Sequence, residues 1–511
     1  MSDTREMRAT LNIVISLLGQ FVTLICGLIV PRLMLKYFGS EAYGATASIA
    51  QFLAYISLLD GGVGGVARAA LYKPLANNDN HKISMVLNEI RSFFRVIGFI
   101  FLGYVLILAF GFKYISHIQC FDDITTALLV MAISISTFSE YFFGITNIEL
   151  LSAAQRTYVI KVVSMGATIL NTIATVILVY LNCSLVTVKL VSSICFAIKP
   201  IIYKIYVDKY FRLEKINERC PEALEQKWSG LSQHIAYFLY SNTDVAVLTV
   251  LSNLSIVAVY SVYNMVISNI QNITNSFSVG MESVFGDMIA KEENDLLKKT
   301  FSFYETLISV ISLILFSTTA VMILPFVRIY TTGITDVNYI QPLFALLLIT
   351  ASLLFCLRLP YQNIIIAAGH FRETQIAAYG EAIVNIIVSI CLVIKFGLVG
   401  VAFGTVAAVF FRFGYYSLYL SKNIIYRPVL TFIKRMVINI STFIIIYLLG
   451  IIISEHFVIS NYFEWAICAI IIFFIAVICV FLITRLFYKE DLSPVINRIT
   501  KKFIQLRGKF I

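Results

Sequence analysis

The stretch Ser241–Glu282 reads SNTDVAVLTVLSNLSIVAVYSVYNMVISNIQNITNSFSVGME. It opens with Ser241-Asn242-Thr243-Asp244 inside an otherwise apolar run and breaks at Ser252-Asn253. The apolar segment beyond the break carries Asn264, Ser268, Gln271, Asn275, Ser278 and Glu282, spaced alternately by four and three. That period puts all six on one face of a helix. The stripe is about 27 Å long at the helical rise, close to the roughly 30 Å hydrocarbon thickness of a bilayer. Lipid satisfies no hydrogen bonds, so this face is expected to line water or polar protein. Hydrogen bonding between helices of a bundle is the plainer alternative. A continuous stripe ending in a carboxylate favours a wet cavity.

The surrounding composition sets the class. Of 511 residues, 59% are hydrophobic and only 13% charged, with mean hydropathy +0.87. A soluble domain does not have that balance, and the apolar residues come in runs long enough to span a bilayer. The fold expected is all-α and polytopic. About fourteen spans are read, at 11–35, 43–70, 88–111, 124–149, 157–180, 185–206, 230–252, 256–285, 302–328, 339–366, 374–395, 398–420, 436–454 and 463–486. The net charge of +10 comes from basic residues between these runs, which points to topology and membrane lipid headgroups and away from nucleic acid.

With both termini inside, the outer side keeps only Lys36, Lys113 and Lys395, plus Arg32 and Arg328 near span ends. Nearly every other loop Lys and Arg then faces the cytoplasm, as the positive-inside rule requires. The outer loops, the longest around Tyr114–Asp123 and Glu455–Phe463, are too short for a folded domain. The charged segment 208–229 is the natural linker between two halves. Residues 1–207 and 230–421 are read as six-helix bundles, 422–490 as an added helix pair, and 491–511 as a basic amphipathic tail on the inner leaflet. Weak internal similarity supports the halves. Ala153-Ala154-Gln155-Arg156 is followed by Asn171, and Ala367-Ala368-Gly369-His370 by Asn385 at the same offset.

Ionisable groups inside spans cost about 2.5–3.5 kcal/mol each at mid-membrane and so ask for a reason. Asp60, Glu140 and Asp244 are deep. Arg68, Lys161, Lys199, Arg358, Glu381 and Arg412 lie nearer the inner face, and Arg32 follows Pro31 toward the outer face. With the stripe they give a candidate substrate-binding set: Arg32, Asp60, Arg68, Glu140, Asp244, Asn264, Gln271, Asn275, Glu282, Arg358, Glu381 and Arg412. Among the ionisable groups inside spans, with Lys161 and Lys199 included, basic residues outnumber acids, which fits an anion such as a pyrophosphate. Snorkelling to headgroups is the alternative for the inner Arg and Lys residues. Gly61-Gly62-Val63-Gly64-Gly65 follows no strand and is read as small residues that let helices approach or bend, not as a dinucleotide fingerprint. No nucleophile elbow, phosphate-binding loop or metal-ligand spacing occurs among the five histidines and nine cysteines. No catalytic residue, metal or cofactor is expected, and no removable signal peptide precedes the first span.

Several motifs carry a family resemblance. Pro31-Arg32, Phe38-Gly39-Ser40-Glu41-Ala42-Tyr43-Gly44 and Leu58-Leu59-Asp60-Gly61-Gly62 resemble the N-terminal pattern of bacterial polysaccharide flippases. Those are the O-antigen and capsule repeat-unit translocases of the multidrug/oligosaccharidyl-lipid/polysaccharide exporter superfamily. Ser241 to Asp244, Val259-Tyr260-Ser261, Glu381 to Asn385 and Phe396-Gly397-Leu398-Val399-Gly400-Val401-Ala402-Phe403-Gly404-Thr405 are similar to their C-terminal half.

The resemblance implies a V-shaped pair of six-helix bundles around a central cavity lined by spans 1, 2, 7 and 8. It implies an undecaprenyl-pyrophosphate-linked oligosaccharide moved to the outer leaflet of the bacterial cytoplasmic membrane by alternating access. Asp60 and Asp244 fall on its motif positions. A coupling ion (H+ or Na+) and partnership with a polysaccharide polymerase and chain-length regulator are further implications. A lipid II flippase and a multidrug/cation antiporter of the same superfamily are the alternatives in transport. A polysaccharide polymerase or ligase is the enzymatic alternative, and the short outer loops argue against it.

Overall fold

The computed structural model describes residues 2–61, 63–214, 216, 218–224, 231–278, 280–489 and 491. Regular structure in them is helical, with no strand among the described residues. The chain is a multi-pass membrane protein. Twelve described segments are long and apolar enough to cross a bilayer. One of them, Val14–Asp60, contains a turn at Gly39 and covers two of the expected spans; the seventh expected span is the helix Leu231–Leu251, which holds the shorter apolar stretch Asn242–Leu251. The basic tail expected over 491–511 lies outside the described residues except for Asp491.

By internal packing the chain forms two compact units, Met1–Ser261 with Gly333–Val337, and Val262–Thr332 with Asn338–Ile511. The charged segment 208–229 falls inside the first of these ranges.

In the first unit, α1 (Ser2–Ala54) turns at Gly39, where φ is +83°. A side chain there would strain the backbone, so glycine is what allows two spans to meet without a loop. The turn is pinned by Asp336, whose carboxylate accepts from the Ser40 N–H and the Ser40 hydroxyl, both at 2.7 Å. The second expected span, 43–70, is not one helix. It continues α1 to Ala54, then forms the single turn α2 (Ser57–Asp60) and α3 (Val63–Ala76), with Gly61 at φ +57° closing α2. The glycine-rich stretch thus sits at a break.

Next come α4 (Asn80–Ser116) and α5 (Asp123–Ser139); a π-helical turn over Glu140–Gly144 leads into α6 (Ile145–Ala153). Helices α7 (Thr157–Tyr180), α8 (Leu185–Ala197), α9 (Lys199–Tyr210) and α10 (Leu231–Leu251) complete this part. Ile90, Phe94, Phe101 and Phe112 of α4 and Leu129 and Val130 of α5 are buried in its core.

The helix α11 (Leu254–Ser276) carries the boundary between the units. It ends at Ser276, and α12 (Met281–Ala290) starts after Gly280, where φ is +88°. The polar stripe is therefore not one continuous helix: Glu282 belongs to α12 and Ser278 to the break. Alternation in sequence does not register a break whose cause is one left-handed glycine.

The second unit adds α13 (Asn294–Tyr330), α14 (Pro342–Ala367), α15 (Gln375–Phe396), α16 (Leu398–Asn423), α17 (Val429–Ser454) and α18 (Tyr462–Phe487). Helices α15 and α16 form a tight hairpin. A Cβ on Gly400 would lie 2.4 Å from the Leu392 backbone, and one on Gly404 would lie 2.0 Å from the Ser389 hydroxyl. Small residues let these backbones touch. The added helix α18 packs on α13 through Cys468 and Ile472 against Val321 and Met322, and the Trp465 indole donates to the Met322 carbonyl at 2.9 Å.

The sequence echo has a physical counterpart. Gln155 after α6 and Gly369 after α14 both adopt left-handed backbone, at φ +59° and +73°. The following amides reach back five residues, Arg156 to Leu151 at 2.8 Å and His370 to Ile365 at 3.2 Å. Both helices end in the same left-handed cap, and Asn171 and Asn385 are both buried on the next helix.

Candidate functional site

Three of the expected site residues gather acid–base partners within the first unit. Asp60 sits at the C-terminus of α2, where its carboxylate accepts from the Tyr141 hydroxyl at 3.0 Å. The His234 Nε2 lies 3.6 Å from the other Asp60 oxygen and 2.8 Å from the Ser57 carbonyl. A carbonyl only accepts, so Nε2 carries the proton. Glu140 begins the π-helical turn and is met by the Lys199 ammonium at 3.1 Å. Extra residues of this kind in a helix re-aim the side chains around them. Arg68 pairs with Glu149 of α6 at 3.4 Å. The Glu149 side chain is one-tenth exposed and that of Arg68 two-fifths, so the acid is the buried member. Arg32, on the outer-facing part of α1 in the expected topology, is partly buried.

Asp244 is 4% exposed and accepts from the Tyr260 hydroxyl at 3.0 Å. Its neighbours on α10 are satisfied by α1. The Gln51 side-chain amide donates to the Asn242 side-chain oxygen Oδ1, and the Ser48 and Thr249 hydroxyls share a hydrogen bond at 2.6 Å. The polar start of Ser241–Asp244 thus serves helix packing at Asn242 and holds a buried charge at Asp244.

The second unit holds the stripe and the remaining candidates. Asn264 and Glu282 are exposed, while Ser268, Gln271 and Asn275 are partly buried. The Ser278 hydroxyl accepts from Tyr304 at 2.7 Å, and Tyr304 accepts from Asn363 at 2.9 Å. Arg358, Glu381 and Arg412 come together, but with one another. Arg358 and Arg412 each donate to a different Glu381 oxygen, the latter at 2.5 Å, and Arg412 also donates to Tyr416 at 2.6 and 2.9 Å. All three are at most 5% exposed. This is a closed ion triad tying α14, α15 and α16. As observed it presents no charge to an incoming ligand.

Sequence reasoning passed over Glu149, His234 and Tyr141, and over a second network around Glu305. Glu149 sits at the inner edge of the fourth expected span, where an acid reads as a loop residue. Only the fold shows it under Gly64. His234 lacks ligand spacing but lies beside Asp60 through tertiary packing. Glu305 of α13 is 5% exposed and takes bonds from Arg427 at 2.7 and 3.1 Å and from Tyr361; Arg435 lies 3.3 Å away and also binds Asp491 at 2.5 Å. It fastens the added helices to α13. Among the described residues no group of His, Cys, Asp and Glu is arranged to hold a metal ion.

The chain is an all-α bundle with charged groups paired inside its spans, and solved structures share its fold. The chain superposes on the lipid II flippase MurJ in an inward closed conformation with a TM-score of 0.65 at 19% identity, covering 94% of this chain and 99% of that one. An inward-facing multidrug resistance MATE family transporter of the MOP superfamily matches with a TM-score of 0.60 at 13% identity, covering 78% and 94%. The eukaryotic MATE transporter AtDTX14 matches at 0.59 and 10%, covering 79% and 93%. No protein-family profile matches the chain, and no curated protein sequence does. The fold is that of the MOP-type transporters and flippases.

Proposed function

We propose that the protein is a flippase. It moves an undecaprenyl-pyrophosphate-linked oligosaccharide repeat unit, an O-antigen or capsular polysaccharide precursor, from the cytoplasmic to the outer leaflet by alternating access. The observation that favours a flippase over a drug transporter is coverage. The lipid II flippase matches 94% of the chain, whereas the drug transporters are themselves matched almost whole yet leave about a fifth of it uncovered. On this reading α17 and α18 are additions to a drug-transporter-like core that accommodate a prenyl tail. The motifs of the polysaccharide flippases fit a pyrophosphate-linked substrate, and the half-exposed Arg68 fits its headgroup. On this reading the chain performs no covalent chemistry. It resides in the bacterial cytoplasmic membrane with both termini inside, and it supplies a polymerase working with a chain-length regulator.

A lipid II flippase is the second reading, favoured by the same superposition. The two separate in vesicles containing the purified protein and a fluorescent lipid of either kind, with a membrane-impermeant quencher added outside. Flipping of the repeat-unit lipid and not of lipid II supports the first reading; the converse supports the second. Flipping of neither removes both.

A further inference from the structure

The pair Arg68–Glu149 is uneven. Glu149 is 7% exposed and its Oε2 has no hydrogen bond, the nearest charge partner being Arg68 Nη1 at 3.4 Å. It occupies space that only a glycine leaves open, since a Cβ on Gly64 would lie 2.5 Å from Oε1. Arg68 is the half-exposed member, able to turn toward a ligand while Glu149 cannot follow.

The elements packed on α6 leave this acid little else. Lys199 is held by Glu140 at 3.1 Å, Arg91 by Asn88 at 3.3 Å, and Arg95 lies over the Phe142 ring. Arg68 of α3 is the cation in contact with Glu149, and Asp60 of α2 adds a second negative charge nearby. A buried carboxylate that loses its one cation is strongly destabilised unless it is neutralised.

We propose that Arg68 and Glu149 form an anion–proton coupling site, in which a phosphate-type anion that captures Arg68 causes Glu149 to take up one proton. The proton comes from bulk water and ends on a Glu149 oxygen; Arg68 keeps its charge. Anion and proton therefore bind together, and release of either favours release of the other. By linkage, anion affinity rises by up to about tenfold for each unit fall in pH across the range where Glu149 titrates. The inference rests on the proposed transport of a pyrophosphate-bearing lipid and specifies how the charge of the buried acid is balanced while the anion is bound.

The test is calorimetric titration of the purified full-length protein in nanodiscs with inorganic pyrophosphate. Running it in buffers of different ionisation enthalpy, between pH 5 and pH 8, counts the protons taken up. The wild-type count minus that of Glu149→Gln isolates the carboxylate from the titration of pyrophosphate itself. The expected result is a difference approaching one proton, with pyrophosphate still bound by Glu149→Gln and its affinity less dependent on pH. Gly64→Ala, which crowds the carboxylate, should lower the proton count while leaving the protein folded. Binding with the same count in wild type and Glu149→Gln overturns the coupling and leaves the flippase reading standing. No pyrophosphate binding by the wild type overturns both.

Discussion

Arg412 donates to the Glu381 carboxylate at 2.5 Å, and Glu381 is completely buried. With Arg358 on the other oxygen, one acid balances two guanidiniums in a dry interior. Removing the acid alone leaves two uncompensated buried cations. Glu381→Gln should therefore cost about 3–5 kcal/mol, whereas replacing all three residues by apolar ones of similar volume should be near neutral. Thermal unfolding of the purified variants in detergent checks this. A well-folded Glu381→Gln protein that fails only in transport would return the triad to the substrate site.

Asp244 is a buried acid whose carboxylate accepts from the Tyr260 hydroxyl at 3.0 Å. Asp244→Asn preserves shape and removes charge. A hydrogen bond to a charged group contributes roughly 1.5–3 kcal/mol, so a conformational step that uses it should slow on the order of ten- to a hundredfold. Export of surface glycan, compared at equal protein level, is the readout. Unchanged export would show the charge to be structural.

Gly44 tests how closely the helices must approach. A Cβ there would sit 1.7 Å from the Leu254 carbonyl oxygen, a backbone atom that cannot turn aside. Gly44→Ala should fail to accumulate as folded protein. Gly65→Ala should accumulate normally, because no atom outside its own helix lies within 4 Å of its added carbon. Fluorescence-detected size-exclusion chromatography distinguishes them in one experiment.

Cys120 lies in the loop between α4 and α5, its surface exposed, where partial desolvation by the surrounding chain, and then the Glu41 carboxylate, push its thiol up to about 12. The thiolate is the reactive form. In a variant whose sole cysteine is Cys120, maleimide labelling at pH 7 should be slow and should accelerate as pH rises toward that value. Glu41→Gln removes the lesser cause and should speed labelling at a given pH. Fast labelling at pH 7 would contradict the assigned environment. Labelling of intact spheroplasts by an impermeant reagent would also place this loop outside.

The number and type of elements were legible because apolar runs of bilayer length allow little but helix. Helix breaks were less so. The turn at Gly39 and the left-handed Gly280 each depend on one residue's backbone, and a polar stripe read across Gly280 appeared continuous. Asp60, Asp244 and Arg68 could be picked out by depth alone, since a charge inside a span is costly wherever it points. Their partners could not. Glu149, Tyr141 and His234 meet them through packing between segments far apart in the chain, and Arg358, Glu381 and Arg412 proved to satisfy one another. Depth identifies a costly residue, while pairing decides whether that residue is available to a ligand.

The most direct measurement is the sidedness of the lipid-linked repeat unit in a deletion strain without a paralogue. Spheroplasts probed with an impermeant lectin report which leaflet holds it. The account predicts intact units trapped on the inner leaflet, released by the wild-type gene and not by Asp244→Ala. Units reaching the outer leaflet at the normal rate in the deletion strain would contradict it.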